Sequence, residues 1–303
     1  MKEINTVGLI GLGAVGALYA KGLLDSGADL RIIVDEDRKA RYSREGVYVN
    51  GERVDYPYVS PKDAEPVDLL MIVTKEGGLL RAMETASSFV GPDTLILSLL
   101  NGVTSEGIVA ERFGAENVLY SVAQGMDAVK EGNRLTYVHP GRIVLGERVA
   151  GEISPRVQMT ANYLNSHGVV CTPVGDMVRR QWCKLMLNVG VNQACMVFEC
   201  DYAGVQQPGQ ARETMIGALR EAQKMAALEG HLISETEFDE WVALVDSFSP
   251  SGKPSMRQDG EAHRKSEVEL FAGTMIRLGA KHSVKLPINE WLYQRVKEME
   301  SAY

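Results

Sequence analysis

The sequence predicts an α/β fold, with a doubly wound parallel sheet in residues 1–174 followed by an all-helical domain in residues 175–303. Three observations carry this expectation. The first half alternates short, continuously apolar runs with helical patterns, as strands do when helices cover both faces of a parallel sheet. A glycine-rich turn, "GLGAVG", follows the first apolar run and opens the first helical one. Beyond about Val174 only helical periodicity remains.

The elements follow in order. "TVGLIGLG" reads as a buried strand entering a glycine turn, "AVGALYAKGLLDSG" as a helix closed by glycine, and "DLRIIV" as a second strand. After a polar, proline-containing stretch, "VDLLMIVTK" is the third clear strand. "LLRAMETASSFVG" is helical and "TLILSLLNG" is a buried strand. "TSEGIVAERFG" is a helix with a Thr/Ser start, and "NVLYSVAQG" a further strand. "RLTYVHPGRIVLGE" has β-type composition around a Pro-Gly turn and reads as a hairpin at the sheet's edge. The second half predicts helices over 176–199, 210–229, 236–247, 256–280 and 287–301, with a Ser/Pro/Gly-rich loop at 247–256.

Composition narrows the function classes. The 303 residues suffice for one large or two ordinary domains, and 45% apolar with 24% charged is ordinary for a globular chain. A net charge of −8 gives no electrostatic reason to expect nucleic acid or an anionic membrane as partner. Cys171, Cys183, Cys195 and Cys200 form no CxxC pair or zinc spacing, so reduced thiols and no metal site are expected. The run "VGLIGLGAVGALYA" holds too many glycines for the apolar core of a signal peptide, and no stretch reads as a membrane span. The expected location is cytoplasmic.

"GLGAVG" is a Gly-x-Gly-x-x-Gly pattern set between a strand and a helix, the context of a Rossmann-type dinucleotide fingerprint. Gly11 permits the tight turn, Gly13 lets a pyrophosphate approach the backbone, and Gly16 lets the helix pack closely. Leu12, Ala14 and Val15 complete the cofactor-facing loop, and the helix N-terminus faces the phosphates. Asp35, about 20 residues on, suits the ribose hydroxyls of NADH. Two alternatives stand beside that reading: Asp35 as a helix cap, and Arg38 or Arg41 as partners of a 2′-phosphate. Lys75 and Asn101 each follow the C-terminal end of a strand, the edge at which open parallel sheets bind ligands.

The segment "RRQWCKLMLNVGVNQ" predicts a mostly apolar helix interrupted at four-residue spacing by Lys184, Asn188 and Asn192, which therefore share one face. Asn is a poor helix former, and Gly190 costs about 1 kcal/mol against Ala. The pattern suggests a polar stripe facing a ligand cleft, with close backbone approach; small-molecule sites favour domain interfaces. A lysine there can donate a proton or stabilise an alkoxide. Ser255 is expected to start a long helix on which Asp259, His263 and Glu267 share a face, His263 being read as exposed and polar.

Taken together, "GLGAVG", "LLMIVTK", "LLNG", "WCKLMLNVGVN", "SMRQD" and "RKSEVELFAG" make the chain resemble the ketopantoate reductase (2-dehydropantoate 2-reductase) family over essentially its whole length. The resemblance implies reduction of a 2-keto acid to a 2-hydroxy acid by NADPH, in pantothenate biosynthesis. It implies that Lys184 assists protonation of the ketone and that Glu267 contacts the lysine and the substrate. Asn188, Asn192 and Ser255 would hold the substrate, Asn101 would place nicotinamide and substrate, and Lys75 would lie near the cofactor. The expected partners are a small-molecule 2-keto acid and, in the helical half, a second copy in a homodimer. Three positions depart from the family pattern. Asp35 stands where an arginine is frequent, which admits NADH; "KEGG" follows Lys75; and Gln193, not proline, follows Asn192. The rival readings are a reductase of another branched or hydroxylated 2-keto acid and a non-catalytic dinucleotide sensor.

Overall fold

The computed structural model describes residues 2–303, which divide into two compact units, one ending at Val178 and the other spanning Arg179–Tyr303. The first unit contains twelve strands: β1 (Thr6–Ile10), β2 (Asp29–Ile33), β3 (Val47–Val49), β4 (Glu52–Val54), β5 (Tyr58–Val59), β6 (Leu69–Ile72), β7 (Leu95–Ser98), β8 (Val118–Met126), β9 (Val129–Glu131), β10 (Arg134–Thr136), β11 (Pro140–Gly146) and β12 (Cys171–Pro173). Eight form one sheet in the order β12-β11-β8-β7-β6-β1-β2-β5. Its neighbours are parallel except for β8 and β11. The order reverses between β1 and β6, the switch point at which such sheets bind ligands beyond their C-terminal ends.

Alternate residues of the buried strands explain why both faces are covered. Leu9, Leu69 and Met71 pack with Ala17 and Leu23 of α1 (Ala14–Asp25) on one side. The helix α2 (Glu36–Glu45) follows β2 and has no buried residue. On the other side Ile10, Leu70, Ile72 and Ile96 pack with Ala82 and Met83 of α3 (Leu79–Ala86) and Val109 of α4 (Ser105–Phe113). Ala161 and Leu164 of α5 (Pro155–Ser166) join the first side.

The polar stretch before β6 holds structure that the sequence reading passed over. β3 and β4 form a hairpin across Asn50-Gly51, whose φ values of 48° and 89° suit a two-residue primed turn. These strands join β10 and β9 in a second, four-stranded sheet. The expected hairpin over 134–147 is not formed. β10 pairs with β3 and with β9, while β11 pairs with β8 and β12 in the main sheet. The reason is local: Gly132-Asn133 already turns β9 into β10, and Gly141, at φ +66°, approaches the Gln124 carbonyl too closely for any Cβ.

The second unit is helical: most of α6 (Met177–Val197), then α7 (Tyr202–Gln206), α8 (Gln210–Leu228), α9 (Glu235–Asp246), α10 (Ser255–Glu261), α11 (Thr274–His282) and α12 (Pro287–Glu300). Ser234 and Glu237 form a capping box at the start of α9. The Glu221 carboxylate of α8 accepts from the Ile288 and Asn289 amides at 2.9 Å each, capping α12 from outside.

The expected helix over 256–280 is broken. α10 ends at Glu261; His263 is left-handed (φ 49°) and donates to Gly260 O, and Arg264 donates to Asp259 O. That pair of bonds is a Schellman stop. Asp259, His263 and Glu267 therefore do not share a helical face. Asp259 instead pairs with Arg264 at 2.9 Å, and His263 stacks on Tyr303. A π turn, Glu269–Gly273, precedes α11. No helix among the described residues is long and apolar enough to cross a membrane.

Gly190 makes a close approach, but to protein. A Cβ there would lie 2.6 Å from Leu219 Cγ and 3.0 Å from Met215 O, so the missing side chain lets α6 and α8 touch rather than admitting a ligand. Gly190→Ala gains about 1 kcal/mol of helix propensity and loses about 1–3 kcal/mol to overpacking. The expected net result is destabilisation by about 1 kcal/mol, a melting temperature lower by about 2–4 °C, readable by calorimetry. A melting temperature at or above wild type would refute the helix-contact account.

Candidate active site

The first unit presents a dinucleotide cradle at the β1–β6 switch point. Gly11 has φ +108°, and a Cβ on it would sit 2.4 Å from Val73 O. A Cβ on Gly16 would sit 1.8 Å from Gly11 O, so the first turn of α1 lies directly against the loop. Gly13, the N-cap of α1, has nothing within 4 Å of where its Cβ would be. The first turn carries no acidic residue and no side-chain cap. The helix thus begins with no side-chain cap and with open space at Gly13, as an anion site requires. Next to Gly11, Thr74, just past β6, has a buried hydroxyl with no hydrogen-bond partner among the described residues. A buried polar atom without a partner is costly unless a ligand completes it. These residues fit a bound pyrophosphate.

Four other expected cofactor residues, Lys75, Asn101, Asp35 and Arg38, follow the ends of β6, β7 and β2. Lys75 is exposed and leads a 3-10 turn at Glu76–Gly78. Asn101 is half-buried in the turn after β7, next to Gly102 at φ +92°. Asp35 caps α2, its Oδ1 accepting from the Arg38 amide at 2.8 Å. Its Oδ2 meets the guanidinium of Arg81, on α3, at 3.0 Å. The sequence reading missed Arg81, because a partner 46 residues away leaves no local signal. Arg41 stands over the Tyr42 ring at 5.1 Å.

In the second unit, α6 carries Lys184 and Asn188 half-buried and Asn192 buried at 6% exposure. Asn188, Asn192 and Ser255 are brought into one network. Asn192 Nδ2 donates to Asn188 Oδ1 at 3.2 Å, and Asn192 Oδ1 accepts from Ser255 Oγ at 3.0 Å and from the Met256 amide at 3.1 Å. Asn192 thus caps α10 in place of its N-cap residue, Pro254, which has no side-chain donor or acceptor. With its proton committed to Asn192, the Ser255 hydroxyl keeps acceptor capacity on an exposed residue.

Glu267 is half-buried ahead of the π turn, and its carbonyl accepts from Leu270 and Phe271. A residue without a recognisable motif holds that turn. Gln193, fully buried, accepts from the Ala272 amide at 3.1 Å and donates to Val189 O and Asn289 Oδ1. Among the described residues no cluster of His, Cys, Asp and Glu could hold a metal ion.

A Rossmann sheet with a phosphate-ready glycine loop, joined to a helical unit with a Lys-Asn-Asn stripe, defines the class of dinucleotide-dependent oxidoreductases. Family models described as "Ketopantoate reductase PanE/ApbA" and "Ketopantoate reductase PanE/ApbA C terminal" match residues 7–149 and 176–300. The chain belongs to the ketopantoate reductase family. It is 24% identical over 306 residues to a 2-dehydropantoate 2-reductase of Archaeoglobus fulgidus, covering 99% of each chain. Among solved structures, it is similar to the 2-dehydropantoate 2-reductase of Geobacter metallireducens (25% identity, 97% of this chain and 99% of that one, TM-score 0.83). It also shares its fold with D-mandelate dehydrogenase in complex with NADH and anilino(oxo)acetate (24% identity, 98% and 99% coverage, TM-score 0.87).

The cradle separates two roles of glycine. Gly13→Ala, with φ −69° and open space around it, is expected to melt like wild type. Its methyl group would occupy the phosphate approach, weakening binding of a reduced dinucleotide by about tenfold or more in a fluorescence titration. Gly16→Ala is expected to lower both stability and binding. Unchanged binding in Gly13→Ala would place the phosphates elsewhere.

Proposed function

We propose that this chain reduces a 2-keto acid, 2-dehydropantoate, to the corresponding 2-hydroxy acid, with NADPH as hydride donor. The observation that carries this reading is the Lys184–Asn188–Asn192 face of α6, tied to Ser255 by direct hydrogen bonds. It stands in a chain whose other unit fits a dinucleotide.

When bound, the reduced nicotinamide supplies a hydride to the keto carbon, and negative charge grows on the keto oxygen. The chain's own residues manage that charge. The Lys184 ammonium stabilises it and delivers a proton from Nζ to the oxygen, leaving a hydroxyl group and a neutral amine that is reprotonated from water. Glu267 orients the ammonium and accepts from the substrate's hydroxyl. Asn188 and Ser255 fix the substrate's polar groups, and Asn192 holds both in place, so its contribution is positioning. Asn101 and Lys75 serve the cofactor side.

A second reading, reduction of another 2-keto acid with NADH, draws on Asp35 and on the likeness to NADH-bound D-mandelate dehydrogenase. A panel of 2-keto acids assayed with both cofactors decides between them, and a purely sensory protein would turn over none. A homodimer of the helical unit is the assembly we expect.

Lys184→Ala should lower kcat at least about a hundredfold while leaving cofactor affinity nearly unchanged, the scale of losing an acid catalyst. Near-normal kcat in a folded variant would remove Lys184 from the chemistry. Glu267→Ala should retain the wild-type melting profile and lose kcat/KM for the keto acid. A wild-type kcat/KM would place Glu267 on an ordinary solvated surface.

A further inference from the structure

Resting on the dinucleotide reading above, we propose that Arg81 sets the specificity of this chain at the adenosine end of the cofactor. It neutralises Asp35 and offers its guanidinium to a 2′-phosphate, so that β2 ends in a site open to both NADPH and NADH.

The end of β2 is where a Rossmann sheet meets the adenosine ribose. A lone carboxylate there accepts from the ribose hydroxyls and repels a 2′-phosphate, which carries nearly two negative charges. Asp35 is not a lone carboxylate. Oδ1 is committed to the α2 cap through the Arg38 amide, and Oδ2 holds Arg81 Nη2 at 3.0 Å. The Arg38 guanidinium approaches the same oxygen at 3.9 Å, a looser ion pair. Two guanidinium groups thus face the one carboxylate at the end of β2, and they offset its repulsion of a phosphate beside the acidic first turn of α2, Glu36 and Asp37.

The geometry also leaves room for either ligand. A carboxylate oxygen has two lone pairs, so Asp35 can accept from a ribose hydroxyl without releasing Arg81. Arg81 presents a rigid fork of five N–H donors, and one nitrogen faces Asp35 while the side chain is 67% exposed. The remaining donors are reachable by a phosphate and suited to bidentate contact. Arg38 is the weaker candidate because its guanidinium reaches the carboxylate only at 3.9 Å and its hydrogen bond to Asp35 is through the backbone amide. Arg41 is engaged over Tyr42. The specificity element therefore comes from α3, outside the β1–α1–β2 unit that carries the fingerprint.

The test measures binding of NADPH and NADH, without substrate, by fluorescence titration of wild type, Arg81→Gln and Arg81→Gln/Asp35→Asn. Wild type should bind both cofactors within about tenfold of each other. Arg81→Gln should weaken NADPH at least about tenfold, the scale of a lost charge-assisted bond, and NADH by less than about threefold. The double variant should recover part of the NADPH affinity, since the repelling carboxylate is gone. Equal weakening of both cofactors by Arg81→Gln, or no weakening, would overturn this inference alone. Failure of wild type to bind either cofactor would overturn the functional reading and this inference with it.

Discussion

Two adjacent amides on α6 hold the later elements of the helical unit in register. Asn192 turns toward the start of α10, taking Ser255 and the Met256 amide on a single oxygen. Gln193 turns toward the π turn and α12, bonding Ala272 and Asn289. Both side chains are buried, at 6% and 0% exposure, and a buried amide left without partners costs about 1–3 kcal/mol. That penalty fixes the positions of Ser255 and of the segment leading from Glu267 more firmly than any apolar contact would, because hydrogen bonds specify direction and apolar packing specifies only volume. The polar face of α6 and the scaffold of the unit are thus built from neighbouring residues of one helix.

The first unit relies on a different constraint, the absence of atoms. Gly16 packs on the Gly11 carbonyl and Gly11 on the Val73 carbonyl, which draws α1 against the loop and the loop against the end of β6. Gly13 between them contributes openness. A loop packed at both ends and open in the middle has its shape set by the fold, and such preorganisation lowers the ordering cost of binding.

Much of this was legible in the sequence. Apolar runs located the buried strands because burial on both faces leaves no polar alternation to confuse them. The Lys184, Asn188 and Asn192 spacing identified the face of α6 that carries the Asn188–Asn192–Ser255 network. Other features were legible but not used: Asn50-Gly51 between β-type residues is among the strongest short hairpin signals, and it formed one. The remainder lay beyond local reading. His263 stops α10 with a left-handed backbone that glycine or asparagine usually takes, so helical periodicity ran past it to residue 280. Gly190 was correctly singled out for close approach, yet its neighbour proved to be Leu219 on α8. Arg81 and Gln193 act through partners 46 and 79 residues away, and no spacing rule reaches that far.

The π turn at Glu269–Gly273 carries one more residue per turn than the helix that continues it. Each residue of an α-helix advances the side chains by about 100°. The extra residue therefore offsets the phase of α11 against the residues that enter the turn. The inward face of α11 and the direction of Glu267 are set separately, although they belong to one nearly continuous stretch of chain. A substitution on α11 then alters its packing without rotating the glutamate. An uninterrupted helix would have tied the two together, and every change in one would have been inherited by the other.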